Sequence, residues 1–595
     1  MKGRLPSRMK DMPRQFLSRP SFRYKRPPWG ILILVVVFVL VNIRWIWLYR
    51  YNQPLDIDEA GYLCIAMIDY YGLHFGGLHG WLSALKMPSI QAPLTPALTS
   101  LLFGLTRPNP NLGFAIPLVG GAGSIVATYA LGRACRSGRV GSIAAILVAS
   151  CPVIIMFSRD YHFSMWATLT ATLALLAVVR SKHFRNLSWT AVFGVFLGLM
   201  PLARTMTIAF VPGIIAAAFL VMIAEKAHLW RRLLNLIGGL SLAVLIASTW
   251  FIPNGRLVFG YLLGFGYGKH AKEYGHHIPL INLSALRAWI KYTINTEMML
   301  PHFIIVVVGI ILLFTIFIRK ARQKGLLLAI RHLYRSPLAP VAIFAAEALL
   351  ALTSTKNLGS AFIAPVVPAL MVMTGWAFTA LSESRAMRVA TSCLVATTAL
   401  VAAVPQLDLR SPVASVWVAN VPVLGGVKIT DGAGAIQGYE YAAGYHNNGP
   451  TEPINSEEGR AWLRLSRWTA TILGHDLGPH PSVAFGFRHV LYNVNTVNLA
   501  RLLQTDSAFD VRQIDPIITG KSVHGYLRWL RRDNSHVCGL LTSNEVRGNF
   551  KPLINPVFMK KAALQAGFVP IRKWLTPDGQ KITFWERGNP TSNCR

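Results

Sequence analysis

The feature that most constrains this chain is a series of apolar runs long enough to cross a bilayer, separated by short basic segments. The first, Trp29–Ile43, is uncharged and is followed by Arg44, Trp45, Trp47 and Tyr49. A helix needs about 20 such residues to cross the hydrocarbon core. Residues 1–28, ahead of it, hold nine Lys or Arg and one acid, Asp11. No small-x-small cleavage pattern follows the run. It therefore reads as a retained anchor, with the basic tail cytoplasmic and the aromatic residues in the outer interfacial belt. Composition agrees: 53% of residues are hydrophobic and 14% charged, against about 25% charged in an average soluble protein. This excludes a soluble globular chain and a disordered one. The formal net charge is +34. The basic residues are scattered over loops, which fits an anionic membrane face and excludes nucleic acid as a partner.

Eleven spans are expected, near 29–49, 112–132, 140–157, 162–179, 187–203, 206–224, 233–252, 299–318, 339–354, 358–381 and 389–405. The loops on the inner side then carry 26 Lys or Arg, and the outer loops, longer in total, carry 11. This asymmetry follows the positive-inside rule. Pro93–Thr106 is apolar but too short to cross by helical rise. Counting it as a span would put every later basic cluster outside, so it reads as a helix at the outer surface, with Glu59–Tyr71 as a second.

From about residue 406 the apolar runs shorten, and 21 Lys or Arg and 14 Asp or Glu appear. Strands are expected at 482–487 and 537–542 and a helix over 556–567. Residues 568–574 and 581–585 should form a hairpin around the Pro577-Asp578-Gly579 turn. The expected architecture is a polytopic α-helical membrane protein with a C-terminal soluble α/β domain. It divides into a basic tail (1–28), a membrane domain (29–405) with outer loops 50–111 and 253–298, and an extracytoplasmic domain (406–595).

The loop after the first span concentrates its acids in Asp56-Ile57-Asp58-Glu59-Ala60-Gly61-Tyr62. Two readings are open. Asp58 could cap a helix that Glu59 opens, or the acids could form a reactive site at the membrane surface. A span followed by Asp-x-Asp-Glu-x-x-Tyr and a surface helix resembles the first outer loop of GT-C-fold membrane glycosyltransferases. The branch it is most similar to holds the protein O-mannosyltransferases and the lipid A aminoarabinose transferases, which use a sugar carried on polyprenyl phosphate. The resemblance extends over roughly residues 30–380 and makes Asp58 the catalytic base.

Other segments follow in the family's order. Gln91-Ala92-Pro93-Leu94 stands where many relatives have Lys-Pro-Pro-Leu, without the Lys or the first Pro. Phe157–His162 supplies an Arg and an acid at an outer edge, matching Asp160 to the family's second acid. Leu202-Ala203-Arg204-Thr205 occupies the place of a Leu-Thr-Lys. Lys356-Asn357-Leu358 with Pro365 and Pro368 resembles an Arg-Tyr-x-x-Pro-x-x-Pro segment. The resemblance implies transfer of a sugar from a polyprenyl-phosphate donor to a glycan, lipid or protein hydroxyl at the outer face.

The chemistry asks for cations on the departing phosphate and a carboxylate near the acceptor hydroxyl. Arg204, Lys356, Arg159 and Lys269 are the phosphate candidates, and Asp58 and Asp160 the catalytic ones. Glu59, Tyr62, His270 and His276 are candidates for the acceptor or loop side. Attack opposite the leaving group would invert the anomeric centre. Arg159–Asp160 could instead be a local salt bridge, and Arg204 a snorkelling side chain.

No cofactor is required by this reading. His270, Glu273, His276 and His277 could hold a divalent ion, or their Gly-rich, aromatic loop could be a gate over the sugar or an ordinary interfacial loop. Glu347, the one acid inside an expected span, reads as structural. Cys538 and Cys594 could pair in an oxidising compartment. Asn282-Leu283-Ser284 forms a glycosylation sequon. Tyr439, Tyr441, Tyr445 and Trp462 could bind a glycan or pack a core. The expected location is a bacterial inner membrane. The competing class is a lipid or glycolipid flippase, which would place paired ionisable groups at the membrane midplane.

Overall fold

The structure is a computed structural model. It describes residues 29–225, 227–268, 270–271, 283–381, 384–407, 417–430, 456–476, 482–504, 510–533, 536–545 and 553–588. The basic tail, Lys269, Glu273, His276, His277, the sequon Asn282, the three tyrosines between 439 and 445, and Cys594 lie outside them. Cys538 is disulfide-bonded.

The chain is an integral membrane protein. Among the described residues six helices have the length and apolarity to cross alone: Trp29–Tyr49, Pro110–Cys135, Thr205–Ile223, Leu229–Gly266, Leu283–Lys324 and Arg385–Val404. Leu326–Tyr334 and Ala339–Thr353, bent by 91°, make a seventh if taken as one span. The expected count of eleven is therefore not met by this measure. Four expected spans fall on shorter helices, Gly138–Ala149, Ser164–Arg180, Leu187–Ala203 and Val367–Leu381. Proline accounts for two of the shortfalls. Pro152 starts a separate short helix, Pro152–Phe157, after a break at Ser150-Cys151. Pro365 lies just ahead of the last of the four, which starts at Val367 with Pro368 in its first turn, where the N–H that proline lacks would have no partner within the helix, and a helix arriving from before it is not continued.

The short helices still belong to the core. Val140, Leu147, Phe157, Ala171 and Met371 are fully buried in one apolar cluster. Helix Leu187–Ala203 lies directly on Leu229–Gly266: a Cβ on Gly198 would meet the Ala243 carbonyl oxygen at 2.6 Å. Small residues at such contacts let helix backbones approach closely in a membrane.

The same helix separates two sets of loops by about 25 Å of helical rise. At its start, Arg185 and Arg232 gather around Glu225, at 2.6 and 3.9 Å. At its end stands Arg204, among the loops that the sequence places outside. The expected surface helices are there. One is Leu94–Leu105. The other, Ile57–Ala84, is longer than expected and is broken at Gly77, whose φ of +57° is open to glycine.

The C-terminal domain carries a five-stranded sheet of order β4-β3-β5-β7-β6. Here β3 is Ser482–Phe485, β4 Asp510–Gln513, β5 Val537–Ser543, β6 Phe568–Leu575 and β7 Lys581–Arg587. The first three run parallel, and β7 is antiparallel to both β5 and β6. Helix Pro556–Gln565 precedes the expected β6–β7 hairpin. A separate hairpin, β1 (Trp417–Val421) with β2 (Gly425–Thr430), docks on the membrane helices, where Asn295 Oδ1 accepts the Lys428 N–H at 2.8 Å. The sheet domain sits on the surface helix through Val494–Gln504. Leu499 and Leu502 share an apolar cluster with Leu63 and Met67, and the Tyr71 hydroxyl donates to the Leu502 carbonyl. Trp462 is buried in the domain core and stacks on His489, so the glycan-binding alternative for it is not met.

Candidate active site

Asp56, not Asp58, caps helix Ile57–Ala84. Asp56 Oδ1 accepts the Glu59 N–H at 2.7 Å, and Glu59 Oε2 accepts the Asp56 N–H at 3.3 Å. This reciprocal capping box satisfies two otherwise orphaned donors. Glu59 is buried, ion-paired with Arg50, and its Oε1 accepts the Tyr161 N–H at 3.1 Å. It ties the end of the first helix to the surface helix and to the 158–163 loop. It is not among the residues that line the cavity.

With capping done by its neighbours, Asp58 lines a cavity of about 650 Å³. Its carboxylate makes no hydrogen bond among the described residues. Burial, and then the negative Glu59 beside it, push the carboxyl up to about 6, with Arg204 pulling the other way. Tyr62, one turn on, lines the same cavity with its ring 4.3 Å from that of Phe163.

Arg204 faces them from the break between Leu187–Ala203 and the 3₁₀ turn Thr205–Phe210. Its Nη1 donates to Ser164 Oγ at 2.8 Å and to the Ala361 carbonyl at 2.7 Å, and its Nη2 donates to the Ser360 carbonyl at 2.9 Å. The guanidinium lies over the rings of Phe362 and Phe163, at 4.8 and 5.7 Å. Arginine has five N–H donors in a planar fork; two here are without a partner among the described residues. Burial lowers the guanidinium to about 10, so it stays charged at neutral pH.

The same network fixes His162, a cavity residue to which the sequence reading gave no role. Its Nδ1 is 2.7 Å from Ser164 Oγ and accepts the Ser164 N–H at 3.2 Å. Burial and the nearby Arg204 hold the imidazole well below its usual range, so it is neutral. Glu297 was missed too. Its Oε1 accepts the Ala361 N–H at 2.7 Å and so grips the same turn that Arg204 holds. The only sequence signal for it was an acid at the edge of an apolar run.

Several expected partners are elsewhere. Arg159 is turned toward the first helix, with Nε donating to Asn42 Oδ1 at 2.6 Å and its guanidinium over Trp45 at 4.6 Å. It is not among the residues that line the cavity, and the structure does not bring it together with Arg204 there. Asp160 is buried among the charges of Arg50 and Arg159 and is not among the residues that line the cavity. Lys356 donates its backbone N–H to the Gly266 carbonyl at 2.9 Å, but the wall is made by its neighbours Thr355 and Asn357. His270 stacks on Phe265 and is not in the lining. Lys269, Glu273, His276 and His277 lie outside the described residues. Among the described residues no three His, Cys, Asp or Glu side chains come together as a metal site. Gln91 does reach the cavity.

The cavity has two kinds of wall. Ile208, Phe210, Phe259, Leu262, Leu263 and Leu352 come from the ends of membrane helices. Asp58, Tyr62, Gln91, His162 and Arg204 come from the connecting segments, and Arg488, Asn495 and Gln513 from the C-terminal domain.

Comparison with known proteins gives one family match: residues 90–252 fit the model described as dolichyl-phosphate-mannose-protein mannosyltransferase. No curated protein matches by sequence. Among solved structures the chain is similar to ArnT from Cupriavidus metallidurans in the apo state. That match has TM-score 0.51 and 13% identity over 93% of this chain and 98% of that one. The same protein bound to undecaprenyl phosphate matches at TM-score 0.50 and 12% identity, covering 95% and 99%. A mutant of the arabinofuranosyltransferase AftD from Mycobacteria matches at TM-score 0.51 and 13% identity, covering 95% of this chain and 42% of that one. The chain is thus built on the fold of these structures, the GT-C fold that its first loop resembles.

Proposed function

We propose that this protein is a membrane glycosyltransferase that moves a sugar from a polyprenyl-phosphate donor to a hydroxyl acceptor. The observation that carries this reading is the pairing, in one cavity, of a carboxylate that makes no hydrogen bond among the described residues with a guanidinium fixed by three hydrogen bonds. The apolar walls from the helix ends suit the isoprenoid of the donor, and the two open N–H groups of Arg204 suit its phosphate. Asp58 takes the proton of the acceptor hydroxyl as its oxygen bonds to the anomeric carbon. The bond from that carbon to the phosphate oxygen breaks, and polyprenyl phosphate leaves with the electron pair. Attack from the side of Asp58, opposite the phosphate, inverts the anomeric centre. The reading places the protein in a bacterial inner membrane with the C-terminal domain outside. Glu347, the one acid inside an expected span, packs against Gly213 and is not among the residues that line the cavity, so it does not favour the flippase reading.

The test is mass spectrometry of cell-envelope glycans from cells with and without the gene, together with binding of undecaprenyl phosphate to the purified chain. A glycan lost on deletion and restored by the wild-type chain supports the proposal. An unchanged envelope together with no lipid binding refutes it. The pH dependence has a fixed sign. The base acts as carboxylate, and Asp58 titrates at about 6. Its kcat/KM should therefore be flat above neutrality and fall about tenfold per unit below that value. A profile that rises on acidification would remove Asp58 from this role.

A further inference from the structure

The cavity is completed by residues far from the membrane helices in sequence. Asn495 Nδ2 donates to the Ile57 carbonyl at 2.6 Å, across 438 residues. Gly61 permits this approach, since a Cβ there would stand 2.8 Å from Nδ2. The Asn495 backbone is itself fixed, with its N–H donated to Asn493 Oδ1 at 3.0 Å, and Asn493 is wholly buried. These bonds set the amide plane beside the helix turn that bears Asp58. Asn495 Oδ1 is left with no hydrogen bond among the described residues, on a side chain that lines the cavity. Arg488, from the same loop, lines it as well and has Nη2 at 3.4 Å from Asp515 Oδ1.

This wall mixes donors and acceptors: a guanidinium, an amide oxygen, the Tyr62 hydroxyl and the Asp58 carboxylate. A hydroxyl both donates and accepts, so a molecule rich in hydroxyls satisfies such a wall. A phosphate or carboxylate would be set against the oxygens of Asn495 and Asp58. Apolar peptide side chains would find their match only on the walls that suit the lipid. We propose that the C-terminal domain supplies the acceptor subsite, in which Arg488 and Asn495 hydrogen-bond a carbohydrate whose attacking hydroxyl is held at Asp58. This rests on reading the cavity as a glycosyl-transfer site.

The test uses the full chain in detergent. Mannan, arabinan and α-glucan oligosaccharides and a Ser/Thr-rich peptide serve as immobilised probes, and undecaprenyl phosphate binding is measured in parallel. Wild type should bind at least one oligosaccharide. Arg488→Gln and Asn495→Ala should each weaken that binding about tenfold, the effect of one hydrogen bond to a charged or buried group, with lipid binding retained. Capture of the peptide alone, binding of no oligosaccharide, or unchanged binding by both variants would overturn the proposal. If the oligosaccharide result holds but undecaprenyl phosphate does not bind, the donor assignment fails and the carbohydrate subsite stands.

Discussion

Asp58→Asn should lower sugar transfer by about 10²–10⁴-fold, the usual contribution of a positioned general base. The chain should fold and bind undecaprenyl phosphate as wild type does. The amide is nearly isosteric with the carboxylate but takes no proton at any working pH. The fold has little at stake in this side chain, because Asp56 and Glu59 form the cap and Asp58 makes no hydrogen bond among the described residues. The charge lost from the first helical turn is worth about 0.3–1 kcal/mol to the helix dipole. Relief of a partly buried negative charge next to Glu59 offsets it. Transfer from a radiolabelled polyprenyl-phosphate sugar reads the chemistry, and thermal unfolding reads the fold. Near-wild-type turnover with an unchanged melting temperature would move the base elsewhere in the cavity.

The acids of this loop show how far local sequence reaches. The spacing from Asp56 to Glu59 is itself a capping-box signature, so the cap was readable, although the Asp58-Glu59 pair drew the reading toward Asp58. Arg159 and Arg204 look alike in sequence, each at the end of an apolar helix. What separates them is non-local. Asn42 and Trp45, on the first helix, draw Arg159 away, whereas Ser164, Ser360 and Ala361 hold Arg204 at the cavity. The apolar runs located most helices, because lipid demands backbone hydrogen bonds closed within each segment. Their lengths were less legible, because buried short helices such as Gly138–Ala149 and Val367–Leu381 are as apolar as full spans. In the C-terminal domain, apolar runs and turn residues gave β3, β5, β6 and β7, but β4 is an edge strand, Asp510–Gln513, whose single apolar residue, Val511, leaves no pattern to read. Asn495 above Ile57 could not be anticipated at all, since no period or spacing links positions so far apart.

Arg204→Gln should cost about 10²–10³-fold in transfer, as removing a donor that stabilises developing charge does elsewhere. The loss should show in both kcat and the donor KM. Arg204→Lys is the sharper variant. It keeps the positive charge, so a site that needed only a cation would retain most of its activity. An ammonium on a flexible stem cannot reproduce a planar fork. It would have to replace bonds to Ser164, Ser360 and Ala361 and still present N–H groups to phosphate. The expected loss for Lys is therefore also near 10²-fold, with a modest drop in melting temperature because the Ser360–Ala361 turn loses its clamp. Glu297 still holds that turn through the Ala361 N–H, so the fold should survive and the kinetics remain measurable. Activity of Arg204→Lys within about threefold of wild type would mean that charge alone is required at this position. The fork geometry would then be a structural device for the turn, and the phosphate would need only a positive charge at this place in the cavity.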